Sequence, residues 1–273
     1  METLEMEATY RLVLPPADPL TVVLVGVGGT GSALAPALAR LAHRLRGIGV
    51  TMKMFFVDQD TIESRNILRQ NYSASEVGYP KADALAFRLS ALFGLPITSI
   101  PTPFSAARFG EWAAGCERRP GANLIVAAVD NHLARREIAE VVAAQDGRWH
   151  CLELANEHSS GQVLLGNVVE PEAIKVDKLG LCSGLPSPYL QEPMLLEPPP
   201  ADANPLSCAD LTLRGGQSPV VNQMVAAIAA DYAYQFLVRR EVAQMATYFA
   251  LAPTSVKSVR LTETSLAAFS SSL

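Results

Sequence analysis

The stretch Thr21-Val-Val-Leu-Val-Gly-Val-Gly-Gly-Thr-Gly-Ser32 decides the predicted fold of this chain. Residues 22–25 are β-branched or apolar, which is typical of a strand buried on both faces of a parallel sheet. The glycines that follow have the spacing G-x-G-x-x-G, at Gly26, Gly28 and Gly31. They allow a tight turn, close approach of the backbone to a phosphate and close packing of the next helix, which Ser32 opens and which we predict over residues 33–45. Such turns serve NAD, FAD, SAM and ATP, and the N–H groups at the helix N-terminus favour an anion there.

A pair of acidic residues ends the second predicted strand, residues 53–57, in the sequence Asp58-Gln-Asp60. In a doubly wound fold a carboxylate at this tip lies beside the ribose of a nucleotide, although a single Asp can also simply cap a loop. The polar segment that follows contributes four further candidates, Asn66, Arg69, Gln70 and Lys81. Arginine and lysine neutralise phosphoryl oxygens and hold them in line for displacement, which a triphosphate requires and an NAD dehydrogenase does not.

The remaining pattern completes an open sheet. We predict helices over residues 81–92 and 219–240, and strands over residues 96–101, 123–129, 151–155, 162–166 and within 247–261. Asp130 and Asn131 directly follow the strand at 123–129. Because ligands bind beyond the carboxyl ends of parallel strands, the tips at Gly26, Asp58 and Asp130 should meet in one crevice. The predicted fold class is therefore α/β, a Rossmann-like, doubly wound and largely parallel sheet.

Prolines divide the chain into four parts. Residues 1–20 form a lead-in, and residues 21–166 form the nucleotide-binding Rossmann-like core. Prolines recur through residues 167–217, which we predict to be a long crossover loop without regular elements; such a loop is usually functional or disordered. Residues 218–273 are expected to add a helix and strands to the same domain.

Composition narrows the class of protein. Hydrophobic residues make up 49% of the 273 residues and charged ones 18%, as in globular proteins. The net charge of −5 argues against nucleic acid as a partner. An acidic N-terminus and the lack of an apolar run of about 20 residues indicate a cytoplasmic, non-membrane protein. The four cysteines form no Cys-x-x-Cys pair, so no zinc site of the tetrathiolate type is expected.

Five motifs in a fixed order make a family resemblance specific. They are Gly26-x-Gly28-Gly29-x-Gly31, Asp58-x-Asp60, Asn66-x-x-Arg69-Gln70, Gly78-x-Pro80-Lys81 and Asp130-Asn131. This set resembles the ThiF/MoeB family, the bacterial relatives of ubiquitin-activating enzymes, closely over residues 20–140 and more loosely beyond. The later sequences Cys208-Ala-Asp and Gly215-Gly-Gln-Ser218 resemble the ThiF-related proteins of the plasmid-type PRTRC cassette.

The resemblance implies ATP- and Mg²⁺-dependent adenylation of the C-terminal carboxylate of a ubiquitin-like β-grasp protein, with release of pyrophosphate. It assigns Asp58 to the ribose and Asp130 to Mg²⁺. Phosphate contacts are assigned to Asn66, Arg69 and Lys81. Asp60 and Gln70 are second choices for these contacts. The rest of the nucleotide-binding set consists of Asn131, Gly26, Gly28, Gly29 and Gly31.

Each of these side chains also has a purely structural alternative. Asn66 can cap a turn, Asp130 can cap the helix after its strand, and Arg69 and Lys81 can be solvated surface charges. This chain also departs from the family pattern at Arg65, where family members usually carry Ser or Ala. A homodimer is expected from the family, in which an arginine often reaches ATP across the interface; Arg11 is the candidate here.

A thioester step would require a reactive cysteine. Cys208 is the first candidate and Cys182 the second, because both lie in or after the proline-rich loop, while adenylation without a thiol intermediate stays equally open. Cys151 lies in an apolar strand and is expected in the core, and Cys116 is expected at the surface.

Two other functions remain open at this point. An NAD-dependent oxidoreductase would also use the glycine turn and a ribose carboxylate, but it leaves Asn66, Arg69, Lys81 and Asp130 without a role. A non-catalytic nucleotide-binding scaffold that docks a ubiquitin-like partner is the second, because the late cysteine pairs of many family members are absent.

Overall fold

The computed structural model describes residues 7–113, 116, 121–198 and 220–270. The strands are β1 (Leu12–Val13), β2 (Leu20–Val25), β3 (Met52–Val57), β4 (Ile97–Ile100), β5 (Asn123–Ala127), β6 (Trp149–Asn156), β7 (Ser160–Gly166), β8 (Glu241–Val242), β9 (Gln244–Leu251) and β10 (Thr254–Arg260). The α-helices are α1 (Gly29–Gly47), α2 (Lys81–Phe93), α3 (Ala106–Ala113), α4 (His132–Ala144), α5 (Pro188–Gln191), α6 (Val221–Tyr234) and α7 (Glu263–Ser270). Cys208 and residues 215–218 lie outside the described residues.

Eight strands form one sheet in the order β10-β9-β7-β6-β5-β2-β3-β4. The five strands from β6 to β4 are mutually parallel, whereas β7, β9 and β10 pair antiparallel with their neighbours. The predicted largely parallel α/β fold is thus confirmed. Since the chain runs outward from β2 through β3 and β4 and then returns to β5 on the other side, the strand order reverses between β2 and β5. Ligands of doubly wound sheets bind at such a switch point.

Helices cover both faces of the sheet, which explains why every residue of β2 is buried. The core on one face includes Leu34 of α1, Leu85 of α2 and Ala229 of α6. The core on the other face includes Ile138 of α4 and Tyr189 of α5. In the part of the chain that the structure covers, no helix combines the length and the apolar character needed to cross a bilayer.

Two local predictions were wrong, and two elements were missed. Helix α1 begins at Gly29 and not at Ser32, because the Ser32 amide donates to the Gly28 carbonyl at 3.0 Å and so closes a turn one step earlier. Within the proline-rich loop, α5 and two short 3-10 helices, Pro171–Ala173 and Pro193–Leu196, form where a proline starts each turn. The lead-in contains a strand, β1, that pairs with β8 near the other end of the chain, and helix α7 was missed.

His150 of β6 is a buried histidine away from the strand tips, with 1% of its surface exposed. Its ring lies 4.8 Å from that of Phe236, in an edge-on arrangement. Neither ring nitrogen has a hydrogen-bond partner among the described residues. Burial, and then the charge of Arg240, lowers the pKa of His150 to about 3. The folded protein therefore holds this ring neutral at physiological pH.

We expect the titration of His150 to lower the free energy of unfolding as the pH drops from 6.5 towards 3. The unfolded chain binds a proton on His150 with a pKa near 6.5, whereas the folded chain cannot do so until about pH 3. Linkage gives a loss of about 2 kcal/mol by pH 5 from this residue. Urea titrations at pH 7 and pH 5 should show that His150→Phe lacks this loss and that the exposed His158→Gln control retains it. An equal pH dependence in wild type and His150→Phe would contradict the prediction.

Candidate functional site

A cavity of about 760 Å³ opens at the carboxyl ends of β2, β3 and β5, next to the switch point of the sheet. The three strand tips that the sequence predicts to converge all contribute to it. Of the residues singled out in the sequence, those that line the cavity are Gly26, Gly28, Gly29, Asp58, Asp60, Arg65, Asn66, Arg69, Gln70, Lys81, Asp130 and Asn131. Gly31 is the one member of the glycine set that does not line it.

The glycine turn brings the backbone of α1 close to β5. Gly26 has a φ of +85°, and a Cβ there would lie 2.5 Å from the Ala128 carbonyl oxygen, so glycine is required. A Cβ on Gly28 would have no neighbour closer than 3.9 Å, which leaves the turn open to the cavity. The first turn of α1 carries no acidic residue and no side-chain cap. Its N-terminal N–H groups therefore favour an anion in the cavity.

Asp58 is a carboxylate held by the backbone at the tip of β3. Its Oδ2 accepts from the Val27 amide at 2.7 Å and its Oδ1 from the Asp60 amide at 2.9 Å. Burial raises the pKa of Asp58, while these two N–H groups and the charge of Lys81 oppose the rise. A carboxylate has about four acceptor sites, so Asp58 can accept two more hydrogen bonds from ligand hydroxyls without moving.

Lys81 is a buried cation at the start of α2. Only 7% of its side chain is exposed, and its Nζ donates to Oδ2 of Asp60 at 2.7 Å. The alternative of a solvated surface charge is therefore wrong for Lys81. An ammonium carries three donors, so this pair leaves N–H groups of Lys81 for an anion in the cavity.

The polar segment after β3 folds into a 3-10 turn, Ser64–Asn66, at the cavity wall. Oδ1 of Asn66 accepts from the Glu63 amide at 2.9 Å, so Asn66 does cap a turn while also lining the cavity. Nε of Arg69 and Oε1 of Gln70 are buried and have no hydrogen-bond partner within the described residues. A buried polar atom without a partner costs about 1–3 kcal/mol, so these two atoms favour a polar ligand.

Asp130 and Asn131 form the third wall, after β5. Oδ1 of Asn131 accepts from the Ala134 amide at 2.9 Å and caps α4, so the alternative in which Asp130 caps that helix is wrong. Asp130 is exposed, and its carboxylate is contacted by the Asn131 amide at 3.5 Å. No cluster of three metal-ligating side chains occurs in the described part of the chain. One free carboxylate suits Mg²⁺, which takes one or two carboxylates together with phosphate and water oxygens.

A model of the ThiF family matches residues 18–268. The chain belongs to the ThiF family. The match covers all eight strands of the main sheet, the glycine turn and all three walls of the cavity, and it confirms the resemblance found in the sequence.

Individual relatives match this ThiF-family chain over shorter stretches. Ubiquitin-like modifier-activating enzyme 5 of Oryza sativa subsp. japonica is 27% identical over 155 residues, which are 53% of this chain and 34% of that protein. The tRNA threonylcarbamoyladenosine dehydratase of Bacillus subtilis (strain 168) is 39% identical over 71 residues, 26% of this chain and 25% of that protein. The chain thus spans about a third or less of the length of these relatives.

Solved structures share the fold over most of the ThiF-family chain. The crystal structure of PaaA matches with a TM-score of 0.58 and 17% identity, over 89% of this chain and 64% of that one. The structure of E. coli MccB with ATP matches with a TM-score of 0.57 and 15% identity, over 89% and 64%. At these identities the likeness concerns the fold alone.

Arg65, which departs from the family pattern, and Arg11, the candidate interface arginine, both have carboxylate partners in this ThiF-family protein. Nε of Arg65 lies 2.5 Å from Oε2 of Glu63, and both side chains line the cavity. Nη1 of Arg11 lies 3.4 Å from Oε1 of Glu241, in an exposed ion pair of the small β1–β8 sheet. Arg11 does not line the cavity of its own chain.

Among the polar residues of the cavity that were missed in the sequence, three form one cluster. Oδ1 of Asn222 in α6 accepts from the Thr30 hydroxyl at 3.1 Å and also from the amide of Asn156 at the end of β6. The cluster ties α1, β6 and α6 together beside Gly29. Its members lie far apart in the chain, and an Asn at an element terminus is typical of a cap, so no local pattern marks them.

The cysteines differ in burial. Cys151 has no exposed surface, in agreement with its expected place in the core. Cys182 is 6% exposed, and burial raises its pKa to about 11, so at neutral pH it is a thiol and a poor nucleophile. Cys116 is half-buried. Cys208, the first candidate for a thioester, lies outside the described residues.

Proposed function

We propose that this protein adenylates the C-terminal carboxylate of a ubiquitin-like β-grasp protein, using ATP and Mg²⁺ and releasing pyrophosphate. The observation that supports this best is the composition of one cavity. It combines the carboxylates Asp58 and Asp130 with the buried cation Lys81 and with Arg69, whose Nε has no hydrogen-bond partner among the described residues. A dinucleotide oxidoreductase would leave the two cations and Asp130 without a role, and a scaffold would not need them.

The chain's residues divide the binding of ATP between them. Asp58 accepts from the ribose hydroxyls, and the N-terminus of α1 at Gly28 and Gly29 faces the phosphates. Arg69 and Lys81 neutralise the β- and γ-phosphate oxygens, and Gln70 and Asn66 offer amide groups beside them. Asp60 holds the Lys81 ammonium in place by their 2.7 Å contact. Asp130 and phosphate oxygens would hold Mg²⁺, which supplies Lewis-acid neutralisation of phosphate charge when bound.

The reaction is a displacement at the α-phosphorus. A carboxylate oxygen of the protein substrate forms a bond to that phosphorus, and the bond from it to the bridging oxygen of pyrophosphate breaks. The bonding electrons leave with pyrophosphate, so negative charge grows on the leaving group. Arg69 and Lys81, as fixed cations in a partly buried site, stabilise that charge without reorganisation. The product is an acyl-adenylate.

The partner and the assembly rest on family likeness. The rice relative is named as an enzyme that activates a ubiquitin-like modifier, and MccB has been crystallised with MccA-N7isoASN as well as with ATP. We extend this to a ubiquitin-like substrate, a cytoplasmic location and a homodimer in which Arg11 reaches the partner's ATP. Light scattering at micromolar concentration tests the homodimer, and a monomer there would exclude it.

ATP–pyrophosphate exchange in the presence of Mg²⁺ tests the function directly. Exchange should depend on a β-grasp protein encoded beside this gene, which would identify the reaction and its substrate together. ATP binding without exchange in the presence of that protein would favour the scaffold. Binding of NAD with hydride transfer would exclude adenylation.

The thioester step gives a separate prediction. If Cys208 carries the activated tail, Cys208→Ala should still release pyrophosphate but form no covalent conjugate that a thiol reductant cleaves. Non-reducing electrophoresis and mass spectrometry measure the conjugate. Cys182→Ala is the matched control and should behave as wild type, because the Cys182 thiol is buried with a pKa of about 11. A conjugate of undiminished yield in Cys208→Ala would exclude that cysteine.

A further inference from the structure

One buried carboxylate connects the turn that carries Asp130 with the segment after β7. Glu153 of β6 has no exposed surface. Its Oε1 accepts from Nε of Arg135 in α4 at 2.8 Å, and its Oε2 accepts from the hydroxyl of Tyr189 in α5 at 2.9 Å. Nη2 of the same Arg135 donates to the carbonyl of Val129 at 2.8 Å. Val129 directly precedes Asp130 in the chain.

The Asp130 side chain does little to fix its own position, since within the described residues its one side-chain hydrogen bond is the 3.5 Å contact from the Asn131 side-chain amide. Its place depends on the backbone around it. The Ala128 amide donates to the Val25 carbonyl at 2.8 Å on one side, and Asn131 caps α4 on the other. Between these two anchors, Arg135 is the side chain that holds the Val129 carbonyl. The orientation of Arg135 therefore helps to set where the Asp130 carboxylate stands.

Glu153 fixes Arg135 and α5 at once, because each of its oxygens has a different partner. The Arg135 side chain is 12% exposed and Tyr189 is 7% exposed, so neither can exchange its partner for bulk water in place. Burial raises the pKa of the Glu153 carboxyl, and the charge of Arg135 opposes that rise. If Arg135 or Tyr189 moved away from Glu153, a buried charged or polar group would be left unpaired, which is strongly unfavourable.

We propose that Glu153 is a positioning residue that sets the Asp130 turn through Arg135 and couples it, through Tyr189, to α5 in the segment that follows β7. A change in α5 then reaches the Asp130 turn through one carboxylate. The consequence for catalysis rests on the proposed function, in which Asp130 acts on ATP. The coupling itself does not depend on it.

Hydrogen exchange of the full-length chain, followed by mass spectrometry without substrate, tests the coupling. Glu153→Gln keeps the size of the side chain and removes its charge. We expect amides of residues 128–135 and 187–192 to exchange at least about tenfold faster than in wild type, and amides of β3 to be unchanged. Unchanged exchange at residues 128–135 would overturn the proposal. A uniform increase that includes β3 would also overturn it, since that is general destabilisation.

Tyr189→Phe tests the link between Glu153 and α5 by itself, because it removes the hydroxyl and leaves the Arg135–Glu153 pair intact. Exchange should rise at residues 187–192 and, by a smaller factor, at residues 128–135. The matched control is Tyr232→Phe, which removes another buried hydroxyl, bonded to Thr247 at 3.0 Å, and should change neither segment. A rise confined to residues 187–192 in Tyr189→Phe would exclude the coupling.

ATP–pyrophosphate exchange shows whether the coupling serves catalysis. In Glu153→Gln we expect kcat to fall at least about tenfold while KM for ATP stays within about twofold, because the ATP contacts at Asp58 and Lys81 are untouched. An unchanged kcat per folded molecule would leave Glu153 a structural residue and overturn the positioning role. If wild type shows no exchange activity, the proposed function fails, whereas the hydrogen-exchange result still decides the coupling.

Discussion

Replacing Asp130 by asparagine should lower the rate of ATP–pyrophosphate exchange by about 10²- to 10³-fold. Asparagine keeps the size of the side chain but removes the charge that would bind Mg²⁺ at the phosphates. Asp130 is exposed and has one weak side-chain hydrogen bond among the residues that the structure covers, so removing its charge should change the free energy of unfolding by less than about 0.5 kcal/mol. Exchange kinetics measure the first effect, and urea denaturation measures the second.

Asp231→Asn is the matched control for this experiment. Asp231 is an exposed aspartate of α6 that accepts from Gln235 at 2.6 Å and does not line the cavity. Its variant should keep both the exchange rate and the stability of wild type. An Asp130→Asn enzyme with more than half of the wild-type rate would remove Asp130 from the mechanism, and Mg²⁺ would then need another ligand.

The convergence of the site could be predicted because a short-range rule governs it. In a parallel sheet the carboxyl end of every strand lies at the same edge, so the residue after each strand is placed by the strand itself. The positions of Asp58 and Asp130 could be predicted without knowing any contact between distant segments, and both residues line the cavity. The burial of Lys81 could not be predicted, because it depends on the packing of α2 against the sheet and on its pairing with Asp60.

The parts that escaped prediction all depend on contacts between distant segments. Asn222 and Asn156 meet because α6 packs beside β6, and neither residue has a distinctive neighbour in the sequence. Glu153 interrupts an apolar strand, which marks it as unusual but names no partner. Its partners Arg135 and Tyr189 come from helices on the same face of the sheet, so they can be identified once the packing of those helices on the sheet is known.

Gly31 serves the packing of the fold and does not line the cavity, so its role can be tested separately from nucleotide binding by the glycine turn. Gly31→Ala should destabilise the protein by at least about 3 kcal/mol. A Cβ there would lie 1.9 Å from the Gly26 carbonyl oxygen and 2.9 Å from its carbon, which are backbone atoms that cannot turn aside. Relief would require α1 to move away from β2, which exposes core residues of α1 such as Leu34 and shifts the helix N-terminus away from the cavity.

Two other glycines of the same segment provide controls that add the same methyl group. Gly47→Ala meets nothing within 4 Å at the end of α1 and should stabilise the protein slightly, by up to about 1 kcal/mol. Gly28→Ala meets nothing closer than 3.9 Å, so it should cost less stability than Gly31→Ala, about 1 kcal/mol of backbone strain at φ −74° and ψ −137°. Its methyl group would stand in the cavity and weaken nucleotide binding. Urea denaturation and ATP titration of the three variants measure these effects. If Gly31→Ala proved as stable as Gly47→Ala, the close contact between α1 and the turn would not be needed for folding.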